Sequence, residues 1–291
     1  MMKRLFLFFF VTLFCVSIST PAQAGYFDRI EVGARGLALA GAYGASVDDV
    51  SALHWNPAGL SLMQSPEIML THSRPYVVRS LSTNAVAVGA PILSGGVALG
   101  WHRLGVTDLI GENLISLGYG QSIYTGDNSR IYVGGAAKLA SVSISIPGRD
   151  FGTETKVTAD LGLMVQQGRQ LRLGLVHRNF GEPSFDFIEG GESTQMPASF
   201  EFAASYHWRP ESVIHLSRSE VAGESAWNYS GEIWFYEVFA IRAGVFDEEF
   251  SGGFGLQGDQ WNVDGAFLTH DSLGNTYRMS VRFFLEPGGG N

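Results

Sequence analysis

The chain has 291 residues, a formal net charge of −9, 37 glycines, 12% aromatic side chains and only 16% charged ones. After Lys3 the only lysines are Lys138 and Lys156. So acidic and lysine-poor a surface is unsuited to nucleic acid, where neutralisation of phosphates supplies most of the affinity.

Residues 1–24 read as a secretory signal peptide. Lys3 and Arg4 form a basic start, Leu5 to Ile18 is an apolar run too short to span, and Ala22-Gln23-Ala24 is an A-x-A cleavage site. Their removal takes the net charge to −11 and removes Cys15, the single cysteine. A disulfide-stapled fold and a thiolate metal site are thereby excluded.

Residues 25–65 form the next unit. The stretch from Gly33 to Tyr43 is dense in small residues, which allow close backbone packing. A short helix is expected after it, capped by Ser46, with Asp48 and Asp49 in its first turn and Pro57 ending it by restricting Asn56. The residues alone allow two readings, a plug inside a barrel or an ordinary opening strand and helix.

Residues 66–286 carry about fourteen segments of apolar and polar alternation between turn signals, at 67–74, 84–90, 96–104, 113–121, 130–142, 156–166, 170–179, 198–208, 212–219, 228–236, 239–246, 251–257, 262–270 and 277–284. Short connections alternate with longer polar ones at 143–155, 180–197 and 220–227, and 122–129 is long for the short side. A closed antiparallel transmembrane barrel has this alternation of turns and loops; a soluble sandwich is the competing all-β architecture. Residues 287–291 are a Gly-rich tail.

The phase of the alternation separates charges from lipid. An Arg at the bilayer midplane costs roughly 2–4 kcal/mol on a lipid-facing wall, so Arg172, Arg242, Arg278 and Arg282 are expected inside. There they can meet Asp160, Glu201, Glu232 and Asp264. Trp101, Tyr119, Trp208, Tyr236 and Tyr277 are candidates for interfacial girdles. In the last strand, Tyr277, Met279, Val281 and Phe283 share the outward face.

No catalytic constellation or cofactor fingerprint is apparent. The seven histidines lack metal-site spacing, and Asp247-Glu248-Glu249 reads as a solvated loop. His102 with Ser116 is the one pairing that could be forced into a hydrolase arrangement.

The run Gly33-Ala34-Arg35-Gly36-Leu37-Ala38-Leu39-Ala40-Gly41-Ala42, then Asp48-Asp49, then His54-Trp55-Asn56-Pro57-Ala58-Gly59-Leu60, resembles the amino-terminal signature of FadL-type outer-membrane proteins, the PorV/PorQ group in particular. The resemblance implies a fourteen-stranded barrel with an amino-terminal plug, in the outer membrane of a Gram-negative-type bacterium, with both termini periplasmic. It implies that Asn56, Pro57, Ala58 and Gly59 belong to a gating element. Leu37, Leu39, Tyr43, Leu53 and Trp55, with Val50, are then candidates for an apolar lining. Two functions follow: passive, porin-like transport of a small hydrophobic compound, or a PorV/PorQ-like accessory role in protein secretion. The partners implied are outer-membrane lipid, the outer-membrane assembly machinery, and either a small hydrophobic ligand or secreted and periplasmic proteins. For docking, Phe180–Met196, with Phe185, Phe187 and Ile188, is the candidate surface. The loops are shorter than those forming the transporters' outer binding groove.

Overall fold

The computed structural model describes residues 27, 32–78, 80–106, 109–187, 193–247, 249–270 and 273–285. Residues 1–24, read above as a signal peptide, the 287–291 tail, Ile188 and Glu248 lie outside them. Fourteen strands close into one antiparallel barrel. In chain order these are β1 (Glu67–Arg74), β2 (Leu81–Ile92), β3 (Gly95–Val106), β4 (Ile110–Thr125), β5 (Ser129–Ile146), β6 (Arg149–Gln167) and β7 (Leu171–Arg178), then β10 (Ser199–Arg209), β11 (Ser212–Val221), β12 (Glu224–Phe235), β13 (Phe239–Phe246), β14 (Glu249–Gln257), β15 (Trp261–Leu268) and β16 (Thr276–Phe284). β1 pairs with β16, Glu67 opposite Phe284, which seals the sheet. Two-residue strands β8 (Ser184–Phe185) and β9 (Thr194–Gln195) form a separate pair in the connection from β7 to β10.

All fourteen alternating segments are barrel strands, and the wall phase matches the sequence reading. In β10, Glu201, Ala203 and Ser205 are buried inside, whereas Phe200, Tyr206 and Trp208 are exposed outside. In β16, Arg278 and Ser280 are buried, and Tyr277, Met279 and Phe283 are exposed. Aromatics ring both rims: Tyr119, Trp208, Phe235, Phe239, Trp261 and Phe283 at one, Trp227, Phe250 and Tyr277 at the other. Trp101 departs from the girdle expectation, lying mid-strand opposite Val86 and Ile115. Tyr236 sits in a hairpin turn at φ 53°.

Three connections are shorter than expected. Residues 143–155 are mostly strand, with β5 and β6 turning tightly at Pro147-Gly148. Residues 220–227 turn at Ala222-Gly223. β4 runs to Thr125, leaving three residues before β5. Only 179–198 is a long excursion between barrel strands.

Residues 32–65 lie inside the barrel. They contain α1 (Ala34–Ala38), α2 (Ala52–Trp55) and a 3₁₀ turn, Pro57–Leu62. The rim carrying Phe284 is hereafter the terminal end. Phe27, the first described residue, sits at the opposite end: its N–H donates to Glu112 near the start of β4 (3.0 Å). Residues 32–65 lead into β1 at the terminal end.

The outward phase yields a test. Leu117 is 55% exposed between Leu99 and Ala137. Leu117→Arg is expected to cost about 2–4 kcal/mol, and Phe283→Asp is expected to impair assembly of the closing strand. Heat-modifiable electrophoretic mobility of membrane fractions reads both. Wild-type yields of folded barrel from the two variants would mean that these faces do not meet lipid.

Candidate functional site

The amino-terminal segment is shaped by a few local constraints. Ser46 does not cap a helix. Its hydroxyl donates to Tyr43 O (3.4 Å) and faces His215. Asp49 does the organising instead, because its Oδ1 accepts from the Ser51 N–H at 2.8 Å and the Ser51 hydroxyl at 2.5 Å. Such an Asx turn satisfies backbone donors ahead of a helix, and α2 starts one residue later. Its Trp55 ring lies against Gly36, where any Cβ would overlap the indole. The indole N–H donates to Val32 O at 2.8 Å.

Asn56 precedes proline and is extended, at φ −161° and ψ 106°. It is fully buried. Its Oδ1 accepts from the Ala58 N–H (3.1 Å), and its amide donates to Gly44 O (2.7 Å) and to Leu163 O of β6 (3.3 Å). Asn56 thus ties together two parts of the plug and the wall. Pro57 and Ala58 rest on β5 and β6 at Gly134 and Gly162, where a Cβ would overlap Pro57 and Asn56 respectively. The wall therefore meets this element with bare backbone.

Leu37, Leu39, Tyr43, Leu53 and Trp55 are 0–7% exposed, as is Val50. Leu39, Tyr43, Val50, Leu53 and Trp55 pack in one core with Met69, Ala85, Ala87, Ala98, Tyr132 and Met164 of the wall. Leu37 packs separately with Ala34, Ala38, Ala266 and Leu268. All six are thus buried against plug and wall.

The charges sort by height. Towards the terminal end, Arg242 bonds Glu232 (2.5 Å) and Asp264 (2.7 Å). Arg35 of the plug makes a two-pronged bond to Glu232 (3.0 and 2.8 Å) and reaches Asp48 at 3.1 Å. Arg282 bonds Asp49 of the plug (2.9 Å) and lies 3.5 Å from Glu67, which accepts from the Val50 N–H. Plug and wall are thus joined by two pairs of opposite polarity.

Higher up, Asp160 pairs with Lys138 (2.6 Å) and Glu201 with Arg178 (2.7 Å), two cations the sequence reading did not single out. Arg172 points inward, half-buried on the face of Gly174 and Val176, and Arg278 is buried on the inner face of β16. Burial, with His102, Lys138 and Arg178 nearby, pushes the plug residue His54 down to about 3, so its ring is neutral.

Towards the end away from the terminal rim lies an apolar cluster. Phe185 and Met196, from the connection between β7 and β10, pack with Phe27, Leu114, Ala140 and Val142. Phe185 is 1% exposed, so the expected docking surface is turned inward at that residue. At the terminal end a cavity of about 350 Å³ is lined by Arg35, Asp48, Gln64, Glu67, Trp234, Arg242 and Arg282, among others.

His102 and Ser116 are both buried, and no hydrogen bond joins them. Among the described residues, no group of three His, Cys, Asp or Glu side chains is placed to hold a metal ion.

Removing one cation from the buried charge network should be costly. Arg242→Ala leaves Glu232 and Asp264 buried with less compensation, an expected loss of about 3–5 kcal/mol. Urea unfolding in detergent, followed by heat-modifiable mobility, measures it. A midpoint matching wild type would show that the network contributes little.

No family model matches the chain, and no curated protein matches it. Solved structures do. A FadL homologue from Pseudomonas aeruginosa aligns with 12% identity and a TM-score of 0.59, over 87% of this chain and 98% of the other. The toluene transporter TbuX of Ralstonia pickettii gives 14%, 0.58, 87% and 98%. The Pseudomonas putida toluene transporter TodX gives 11%, 0.59, 89% and 98%. The chain therefore has the fold of FadL-type outer-membrane β-barrels.

Proposed function

We propose that this chain is an outer-membrane protein that passes small hydrophobic compounds by movement of its plug, and that it is not an enzyme. The carrying observation is the seating of Asn56-Pro57-Ala58 on glycine backbone of β5 and β6. A contact without interlocking side chains can slide, whereas a jigsaw contact resists. The apolar layer of Phe27, Leu114, Phe185 and Met196 offers an oily first station on the far side. Two of the structural neighbours are toluene transporters, which supports cargo of that class. In this reading the signal peptide is removed, the terminal end faces the periplasm, and the β7–β10 connection faces outward.

A second reading has its own observation. The complete packing of Leu37, Leu39, Tyr43, Leu53 and Trp55 also suits a PorV/PorQ-like accessory of secretion, for which no passage is needed.

The two readings separate experimentally. Native mass spectrometry of gently extracted protein, with toluene permeation into proteoliposomes, is expected to show a bound hydrophobic molecule and permeation above empty vesicles. An empty barrel, no added permeation and a co-purifying secreted or periplasmic protein would overturn transport in favour of the accessory role.

A further inference from the structure

Arg178 is the last residue of β7, and its guanidinium turns into the lumen. Its Nε donates to His54 O (3.1 Å), and its Nη2 donates to Trp55 O (2.5 Å) and to Glu201 Oε2 (2.7 Å). The two carbonyls are those immediately before Asn56-Pro57, the point where α2 ends and where orphan carbonyls need a donor. One wall side chain therefore clamps the hinge of the plug.

The next residue, Asn179, roots the β7–β10 connection. Its N–H donates to Asp160 Oδ1 (2.9 Å), its amide donates to Pro197 O (2.7 Å), and its Oδ1 accepts from Lys138. Phe180 continues the anchorage on β6: its N–H donates to Ala159 O, and its O accepts from the Thr158 hydroxyl, both at 2.9 Å. The connection rooted here carries the two lid residues, Phe185 and Met196, which are themselves part of the apolar cluster with Phe27 and Leu114. A single peptide bond thus joins the root of the lid to the clamp on the plug. The clamp is also incompletely satisfied, because Glu201 Oε1 is buried without a hydrogen-bond partner.

We propose that Arg178 is a gate latch: it holds the plug hinge through His54 O and Trp55 O, and a shift of the adjoining root at Asn179 withdraws it. This rests on the uptake reading for its purpose. Its test needs no cargo.

The experiment uses the full-length protein in detergent, with Cys15 absent and Leu53→Cys as the single thiol, buried in α2 and labelled by a large hydrophilic maleimide. Release of the clamp removes charge-assisted bonds, so Arg178→Ala is expected to speed labelling roughly tenfold or more. Arg178→Lys should fall between, and Asn179→Ala should speed labelling with little further gain when combined with Arg178→Ala. Heat-modifiable mobility confirms that each barrel is folded. If Arg178→Ala does not fold, Arg178→Lys and Asn179→Ala carry the comparison. Parental labelling rates in the folded variants would overturn the latch. Fully additive effects of Asn179→Ala and Arg178→Ala would overturn the link between lid and latch. Labelling that responds as expected in a protein that passes no toluene would leave the latch standing and remove the uptake reading.

Discussion

In hydrocarbon no water is available to satisfy a peptide N–H or C=O, so a sheet crossing a membrane must close on itself. Here closure is the pairing of β1 with β16, and it sets the remaining problems. A closed sheet has two faces of opposite duty, and alternation along each strand assigns side chains to them. Fourteen strands also enclose more space than inward side chains fill. The inner wall is rich in Gly, Ala and Ser, which enlarges that space, and the amino-terminal segment occupies it. Small residues on both partners follow from one geometric need, as Gly36 under Trp55 and Gly134 under Pro57 show.

Filling a lumen creates a second difficulty, since backbone and charges brought inside lose water. The wall meets it with side chains aimed at particular plug atoms. Thr71 accepts from Gly33, Ser280 from Ala34 and Glu67 from Val50. The reciprocal pairs, Arg35 with Glu232 and Asp49 with Arg282, place one cation and one anion on each partner. A plug of uniform charge would need a wall of the opposite sign, costly to keep folded when empty. The mixed arrangement keeps each partner near neutrality in its own buried region.

The barrel was legible in the sequence because lipid imposes a period of two wherever the wall meets it. Legibility failed where lipid stops. Thr153, Glu154 and Thr155 lie opposite Ser143, Val142 and Ser141; polar residues stand on both faces of this stretch of β6, so it read as a loop. Inside, Arg242, Glu232 and Asp264 were identifiable because a charge amid an outward apolar pattern has one place to go. Partner choice was not. Arg35, Lys138 and Arg178 pair with residues up to 197 positions away in sequence, and local pattern holds no record of that proximity. The helix start was misplaced for a related reason: Ser46 and Asp49 are both competent caps, and packing of Tyr43 and His215 around Ser46 decides between them. In the β7–β10 connection, Phe185 read as exposed because its partners, Phe27 and Leu114, belong to distant segments.

The distribution of strong and weak contacts bears on how such a plug moves. A charge-assisted hydrogen bond contributes about 1.5–3 kcal/mol, while a carbon–carbon contact contributes only about 0.1–0.2 kcal/mol. Between the terminal-end pairs and the Arg178 clamp, the 3₁₀ turn meets the wall closely at glycine backbone and buries Ala58 and Leu60 in the shared apolar core. The directional attachments of that turn are few, Asn56 to Leu163 O and Arg178 to the preceding carbonyls among them. Breaking a small set of localised bonds is a local opening, well below the cost of unpairing strands. A rigid wall and a movable interior coexist here because the wall's stability lies in its backbone ladder and the plug's lies in identifiable side chains.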